Sequence, residues 1–286
     1  MADNSAENST RDAHAQQAAY WNGPGADMWV TRQARMDAAL APVTRALLAH
    51  AAAAQGERVL DIGCGTGETV LALADAVGPG GHVTGIDISE PMLGLARTRA
   101  TGHENITLAL ADAASWQPPQ PVDLLVSRFG VMFFGDPVAA FRNLRACLAP
   151  AGRLRFACWR PAADNDWVRI PRQALAPHLP PAPPADPGLP GQFAFGDAGR
   201  VADILTQAGF TAPTFTKCDF PMPIGRDLDD AVTRTSEFGA TGRMFDEATP
   251  AAQAIARDVL RATLAPYATS PGPVRLPGAV WLVAAS

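Results

Sequence analysis

Three glycines at alternate positions, Gly63, Gly65 and Gly67, follow the apolar run Val59–Leu60 with Asp61 and Ile62, and they lead directly into a helix-like stretch from Glu68 to Val77. Residues without a Cβ let the chain turn sharply after a strand and come close to a ligand, and the helix that begins there offers unpaired N–H groups. Seating a cofactor is the chemistry this pattern suits. A bare strand-to-helix turn without a ligand would have the same local signature. The run departs from the dinucleotide fingerprint G-x-G-x-x-G at its sixth position, which is Glu68. A carboxylate at that helix start would repel a pyrophosphate.

Three further polar residues stand at the ends of extended segments. Asp87 closes His82–Asp87, Asp112 follows Ile106–Ala111, and Ser127 ends Val122–Ser127. In an open α/β sheet ligands bind beyond the carboxyl ends of the strands, so these residues and Gly63 are expected to converge on one crevice. Asp87 can accept hydrogen bonds from both hydroxyls of a ribose, which suits an adenosine-containing ligand. It could instead serve as an acidic charge at the start of the helix that follows.

The elements that position these residues alternate along the chain as βαβ units do. Gly78-Pro79-Gly80-Gly81 turns the chain into the second strand, and Ser89 reads as the N-cap of a helix running to about Ala100. Val122–Ser127 is almost continuously apolar, as a strand covered on both faces should be. Pro137–Leu148 is amphipathic and is expected to end at Pro150-Ala151-Gly152, with a fifth strand over Arg153–Trp159. Pro177–Pro190 holds seven prolines and reads as an extended, helix-free connection. Gly199–Gly209, Leu228–Phe238 and Ala251–Leu264 read as helices, and Thr214–Phe220 and Val280–Ala285 as strands. The fold class expected is α/β, a doubly wound, mostly parallel seven-stranded sheet with helices on both faces and a helical cap. The divisions expected are an N-terminal helical lid segment at 1–50, a cofactor-binding core at 51–160, and at 161–286 the remainder of the core with a substrate-cap insertion near 227–267. No change of composition marks off an independent second domain.

A formal charge of -5 and a sequence pI near 5.5 offer no general attraction to nucleic acid or an anionic membrane, so a small-molecule partner is expected. The cysteines Cys64, Cys147, Cys158 and Cys218 are far apart and contain no C-x-x-C pair, which indicates neither a zinc site nor a disulfide framework and fits a reducing compartment. The polar stretch Met1–Gln17 lacks the apolar core of a signal peptide, and no apolar run reaches transmembrane length. A soluble cytoplasmic protein with a mobile start is expected, with no metal.

Over roughly Arg58–Trp159 the chain resembles the class I S-adenosylmethionine (SAM)-dependent methyltransferases, with several motifs in the family's order. V-L-D-I-G-C-G-T-G at Val59–Gly67 matches the first motif. The segments Phe134-Gly135-Asp136-Pro137 and Leu148-Ala149-Pro150-Ala151-Gly152-Arg153-Leu154 resemble the UbiE-like, small-molecule branch, which usually has glycine where Ala151 stands. The resemblance implies SAM as cofactor, with Asp87 on the ribose and Ile88 and Met92 lining the adenine pocket. It implies Asp112 and Ala113 beside the adenine ring, and Asp61, Gly63, Gly65 and Gly67 near the methionine portion. Ser127-Arg128-Phe129-Gly130 matches the stretch that passes the methionine end and the substrate.

The acceptor side is more open. Tyr20, Trp21 and Trp29 form an aromatic, glycine-rich cluster that could fold over bound cofactor, or could dock the N-terminal helix onto the core. Arg128 could hold a substrate carboxylate or pair with an acidic neighbour. Tyr20, Phe129 and Trp167 are candidates to touch substrate, and Phe238, Met244 and Phe245 could line an apolar chamber or belong to the packed interior. No catalytic base is identified. The function expected is methyl transfer to an O, N or C nucleophile of a small hydrophobic or aromatic molecule. A SAM-binding protein with a regulatory role remains an alternative, as does an NAD-type oxidoreductase, although Glu68 and the lack of a Tyr-x-x-x-Lys pair disfavour the latter. A base-modifying enzyme would often carry Asn/Asp-Pro-Pro-Tyr/Phe where Ser127-Arg128-Phe129-Gly130 stands.

Overall fold

Seven strands share one sheet: β1 (Arg58–Ile62), β2 (His82–Asp87), β3 (Ile106–Leu110), β4 (Val122–Arg128), β5 (Leu148–Trp159), β6 (Thr214–Gly225) and β7 (Val274–Ala285). Their order in this computed structural model is β3-β2-β1-β4-β5-β7-β6. The structure describes residues 15–181, 188–237, 239–269 and 271–286. Phe238 and the middle of the proline-rich connection lie outside the described residues.

From β3 to β5 neighbouring strands run parallel, and β7 pairs antiparallel with β5, Leu154 facing Ala285 and Trp159 facing Val280. The mostly parallel, seven-stranded sheet expected from the sequence is therefore present. Parallel strands need covered faces. The helices are α1 (Pro24–Thr31) and α2 (Gln33–Ala51) before β1, then α3 (Glu68–Val77), α4 (Glu90–Arg99) and α5 (Pro137–Ala146) in the crossovers between parallel strands, and α6 (Asp166–Leu175), α7 (Ala198–Gln207), α8 (Leu228–Glu237), α9 (Gly239–Asp246) and α10 (Pro250–Leu264) after β5. Strand order reverses where β4 lies beside β1. That reversal opens a crevice beyond the carboxyl ends of the two strands.

Pro150-Ala151-Gly152 does not act as the helix stop expected of it. The helix α5 ends at Ala146, and the three residues lie inside β5, where Val122 pairs with Leu148 but Leu124 pairs with Arg153. Two steps along β4 thus match five along β5. Proline has no N–H for the ladder, so the extra residues bulge out and the pairing resumes beyond them.

Two compact units divide the chain. The first comprises Met1–Trp159, Pro187–Cys218 and Val280–Ser286; the second comprises Arg160–Asp186 and Asp219–Ala279. In the first unit Phe141 is fully buried, its ring centroid 5.8 Å from that of Phe156, 6.0 Å from Phe195 and 6.2 Å from Phe210. In the second, Leu175, Val232, Met244, Phe245, Leu260 and Leu276 form a separate core. Met244 and Phe245 thus follow the packed-interior reading. The helix α9 arises where the sequence suggests only a glycine-rich joint. A Cβ on Gly242 would meet the Glu237 carbonyl oxygen at 2.6 Å, so this glycine permits close packing rather than a loop.

Candidate cofactor site

The glycine turn sits where β1 ends at the reversal of strand order. Gly63, Gly65 and Gly67 have φ of 66, 55 and 90°, the left-handed region that residues with a Cβ avoid. A Cβ on Gly63 would lie 2.8 Å from the Cα of Gly130, and one on Gly130 would lie 2.6 Å from the Ile62 carbonyl oxygen. The chain ends leaving β1 and β4 therefore touch backbone to backbone. Phe129, just before Gly130, has φ of 71°, which costs a residue with a Cβ about 1–2 kcal/mol. Two contacts offset that strain. Its N–H donates to the Ala157 carbonyl at 2.9 Å, and its ring stacks on Trp159 with centroids 4.8 Å apart and planes 7° from parallel.

The two acidic strand ends flank this turn. Asp87 Oδ2 accepts from the Gly65 N–H at 2.8 Å, and Oδ1 accepts from the Ser89 N–H at 2.9 Å. The Ile88 N–H also hydrogen-bonds this carboxylate, so of its about four lone-pair directions about one remains for another donor. Burial raises the Asp87 carboxyl above its ordinary range, against the pull of those backbone N–H groups. Asp61 is fully buried. Its Oδ2 accepts from the Thr69 hydroxyl, while Oδ1 is buried with no hydrogen-bond partner. Burial pushes the Asp61 carboxyl up to about 7, opposed by Thr69 and the Arg128 charge and reinforced by Asp87. A buried carboxylate oxygen without a donor is costly unless a cation or N–H arrives to meet it.

Other expected residues have local duties. Ser127 is fully buried and donates its hydroxyl to the Ile62 carbonyl at 2.8 Å, bracing β4 against β1. Asp112 Oδ1 accepts from the Ala114 N–H at 2.8 Å and so shapes the turn after β3 that holds buried Ala113. Met92 is buried in the first turn of α4, where its N–H donates to the N-cap hydroxyl of Ser89 at 3.4 Å. Its Cε would meet a Cβ on Gly65 at 2.8 Å, which brings Met92 to the glycine turn.

Of the two roles open to Arg128, the ion pair is the one formed. Its side chain is 8% exposed, Nη1 donates to the Thr44 hydroxyl at 2.7 Å, and Nη2 lies 4.0 Å from Asp37 Oδ1. Asp37 also meets Arg99 at 2.9 Å, and Arg99 reaches Glu68 at 3.0 Å and the Thr66 carbonyl at 2.7 Å. Burial, then the hydrogen-bonded Asp37, raises the Glu68 carboxyl; burial lowers Arg128, against the attraction of Asp37, Glu68 and Asp61. This cluster corrects the weight placed on Glu68, because a carboxylate paired with Arg99 repels an anion far less than a bare one. Sequence reasoning missed Asp37 and Arg99. The signal available was an acid on the otherwise apolar stripe of Leu40, Val43 and Leu47, all buried on α2.

The aromatic start of the chain is partly joined to the crevice. Tyr20 and Trp21 meet edge to face at 5.1 Å, and Trp21 meets Phe133 edge to face at 5.0 Å. Trp29 lies half-buried on α1. Trp167 belongs to the second unit, where its indole N–H donates at 3.1 Å to the side-chain oxygen of the buried Asn165. No three His, Cys, Asp or Glu side chains among the described residues could hold a metal ion together.

The acceptors fit a ligand carrying an ammonium group and vicinal hydroxyls. Asp61 Oδ1 needs a cationic donor and Asp87 has acceptor capacity to spare, while the missing Cβ of Gly65 lets the Met92 side chain pack against the turn. Residues 59–152 match the methyltransferase domain family. Over 148 residues the chain is 36% identical to aklanonic acid methyltransferase DauC of Streptomyces sp. (strain C5), covering 49% of this chain and 67% of that protein. Over 180 residues it is 33% identical to nocamycin O-methyltransferase of Saccharothrix syringae, covering 59% of this chain and 64% of that protein. The solved structure of YcgJ from Bacillus subtilis superposes with a TM-score of 0.55 at 19% identity, over 85% of this chain and 97% of that one, which shows the fold.

Proposed function

We propose that this chain, which belongs to the class I SAM-dependent methyltransferase family, methylates an oxygen of a small, planar, hydrophobic acceptor. Methyl transfer from SAM is the family's reaction. The observation that supports the cofactor assignment is the pair of carboxylates beyond β1 and β2, one with a buried oxygen lacking a donor and one with acceptor capacity left over. Bound there, SAM would supply a sulfonium methyl ready for in-line displacement.

The residues of this chain then have separable tasks. Asp61 would receive the ammonium group, and its carboxylate form would be stabilised by that charge. Asp87 would receive the ribose hydroxyls while the Gly65 and Ser89 N–H groups hold it still. Ile88, Met92, Asp112 and Ala113 would line the adenine side. Orientation and exclusion of water dominate such a displacement, because positioned groups reach effective molarities of about 10⁵–10⁸ M. Aromatic rings supply the apolar surface. Phe129 stacked on Trp159, and Trp21 against Phe133, put rigid ring faces at the ends of β4 and β5, a setting for a flat acceptor.

Oxygen as the nucleophile is favoured by the names of the two relatives, one an O-methyltransferase and one acting on an acid. No helix among the described residues is long and apolar enough to cross a membrane. The cysteines are free thiols, which supports a reducing setting such as the cytoplasm. Calorimetric titration with SAM and S-adenosylhomocysteine tests the cofactor assignment: no heat with either, in folded protein, overturns it. Incubation with methyl-labelled SAM and a panel of planar molecules bearing hydroxyl, carboxyl, amine or nucleophilic-carbon sites tests the acceptor class. Label on amine or carbon acceptors alone would overturn it.

A further inference from the structure

The residue pair Trp21–Asn22 makes contacts that the cofactor assignment does not use. Asn22 is exposed, yet its side-chain amide donates to the Ile88 carbonyl at 2.9 Å while its Oδ1 accepts from the Glu90 N–H at 3.1 Å. The amide therefore bridges both sides of Ser89, the cap of α4, in the loop that follows Asp87. Glu90 is the first residue of α4, and its N–H is one of the donors a helix start leaves without an intrahelical partner. The same amide nitrogen donates to the Ala18 carbonyl at 2.9 Å, which fixes its rotamer from within its own segment. One residue earlier, Trp21 lays its ring edge on Phe133, at the end of the 3-10 turn Gly130–Phe133 that follows β4. Adjacent residues thus grip the two walls of the crevice, the β2 wall through Asn22 and the β4 wall through Trp21. The turn between them and α1 is tight, for a Cβ on Gly25 would lie 2.6 Å from the Tyr20 ring.

We propose that Asn22 is a positioning residue that, together with Trp21, straps the two walls of the crevice and so holds cofactor and demethylated product in place. The inference rests on the assignment of that crevice to SAM. Through the Ile88 carbonyl Asn22 fixes the residue next to Asp87, and through Trp21 the same segment fixes the turn beyond Phe129. A strap anchored at both ends resists the parting of the walls that ligand exchange requires. Its hold is of a size that exchange can break: two neutral hydrogen bonds are worth a factor on the order of ten in release rate.

Release of S-adenosylhomocysteine, followed by stopped-flow tryptophan fluorescence after displacement with excess SAM, tests the proposal on wild type, Asn22→Ala, Trp21→Leu and the double variant, with release followed by labelled ligand where Trp21 is absent. Each single variant is expected to release product about tenfold faster with a thermal midpoint close to wild type, since Asn22 is exposed. The double variant is expected to gain little over the faster single one, because either loss frees the strap. Unchanged release in folded variants overturns the proposal, as do fully additive effects, and so does a collapse of thermal stability, which would make the pair a packing element. Wild type that binds neither ligand overturns the cofactor assignment instead, and calorimetry on wild type alone separates that failure from the others.

Discussion

Replacing Asp61 with asparagine should make the ligand-free protein more stable in alkaline solution while weakening its hold on SAM. In the folded chain this carboxyl titrates at about 7, against 3.8 for an ordinary aspartate, because burial disfavours the charged form. Stability carried by the protonated carboxyl is complete below about pH 4 and is lost as the pH rises through 7, because between those values the folded state binds more protons than the unfolded one. At about 1.36 kcal/mol per pKa unit, the loss amounts to roughly 4 kcal/mol. Asparagine escapes it. Its oxygen can keep the Thr69 hydroxyl, while its NH₂ lies where Oδ1 has no partner, a penalty of about 1–3 kcal/mol that does not vary with pH. Urea unfolding of both proteins at pH 4.5, 6, 7 and 8.5, with m-values compared, reads the difference. The asparagine variant should gain on wild type from pH 4.5 to about 7 and then hold that gain at pH 8.5, and calorimetry at pH 8 should find SAM bound at least tenfold more weakly. A stability gap that stays flat, or closes as pH rises, would refute the placement of a strained, donor-less carboxyl at position 61.

Asp87→Ala should weaken SAM binding and, by orphaning the Gly65 and Ser89 N–H groups, lower stability by about 2–4 kcal/mol in chemical unfolding. Gly130→Ala forces a Cβ to within 2.6 Å of the Ile62 carbonyl oxygen, and a loss of about 1–3 kcal/mol should appear as a lower thermal midpoint together with impaired SAM binding. Arg99→Ala leaves Asp37 and Glu68 without their shared cation and should cost about 2–4 kcal/mol at pH 7, shrinking as acid protonates the raised Glu68 carboxyl. The same unfolding experiment at pH 5 and pH 7 distinguishes this from a loss of packing, which would not vary with pH.

The parts of the molecule legible in sequence are those whose cause is local. The helix capped by Ser89 follows from the residues that form it, and the glycine turn follows from a backbone that only glycine adopts without strain. Parallel order followed from strands alternating with helices. Features set by distant partners were opaque. Arg128 is held by Asp37 and Thr44 on α2, and nothing beside Arg128 in the chain announces them. Ser127 reads as a residue facing a ligand, and its bond to the Ile62 carbonyl could not be read beside it because the pairing of β4 with β1 is a property of the sheet. Pro150-Ala151-Gly152 reads as a helix stop by composition, yet the demand of β4 for a partner carries the chain through it as a bulge. The helices α6 and α9 were missed because Pro171 and Gly242 sit inside them.

The order of strands sets a timetable for synthesis. The edge of β5 from Leu154 to Trp159 is covered only by residues Val280–Ala285 of β7, and β6, made earlier, lies beyond β7 and waits for the same strand. At about 5–20 residues per second, a ribosome needs roughly 6–25 s to make the intervening stretch. During that interval the β5 edge lacks its partner strand, and an unpaired strand edge is a template for joining a neighbouring chain. Yield in a foreign host should therefore depend on chaperone supply and translation speed more than on the stability of the finished fold.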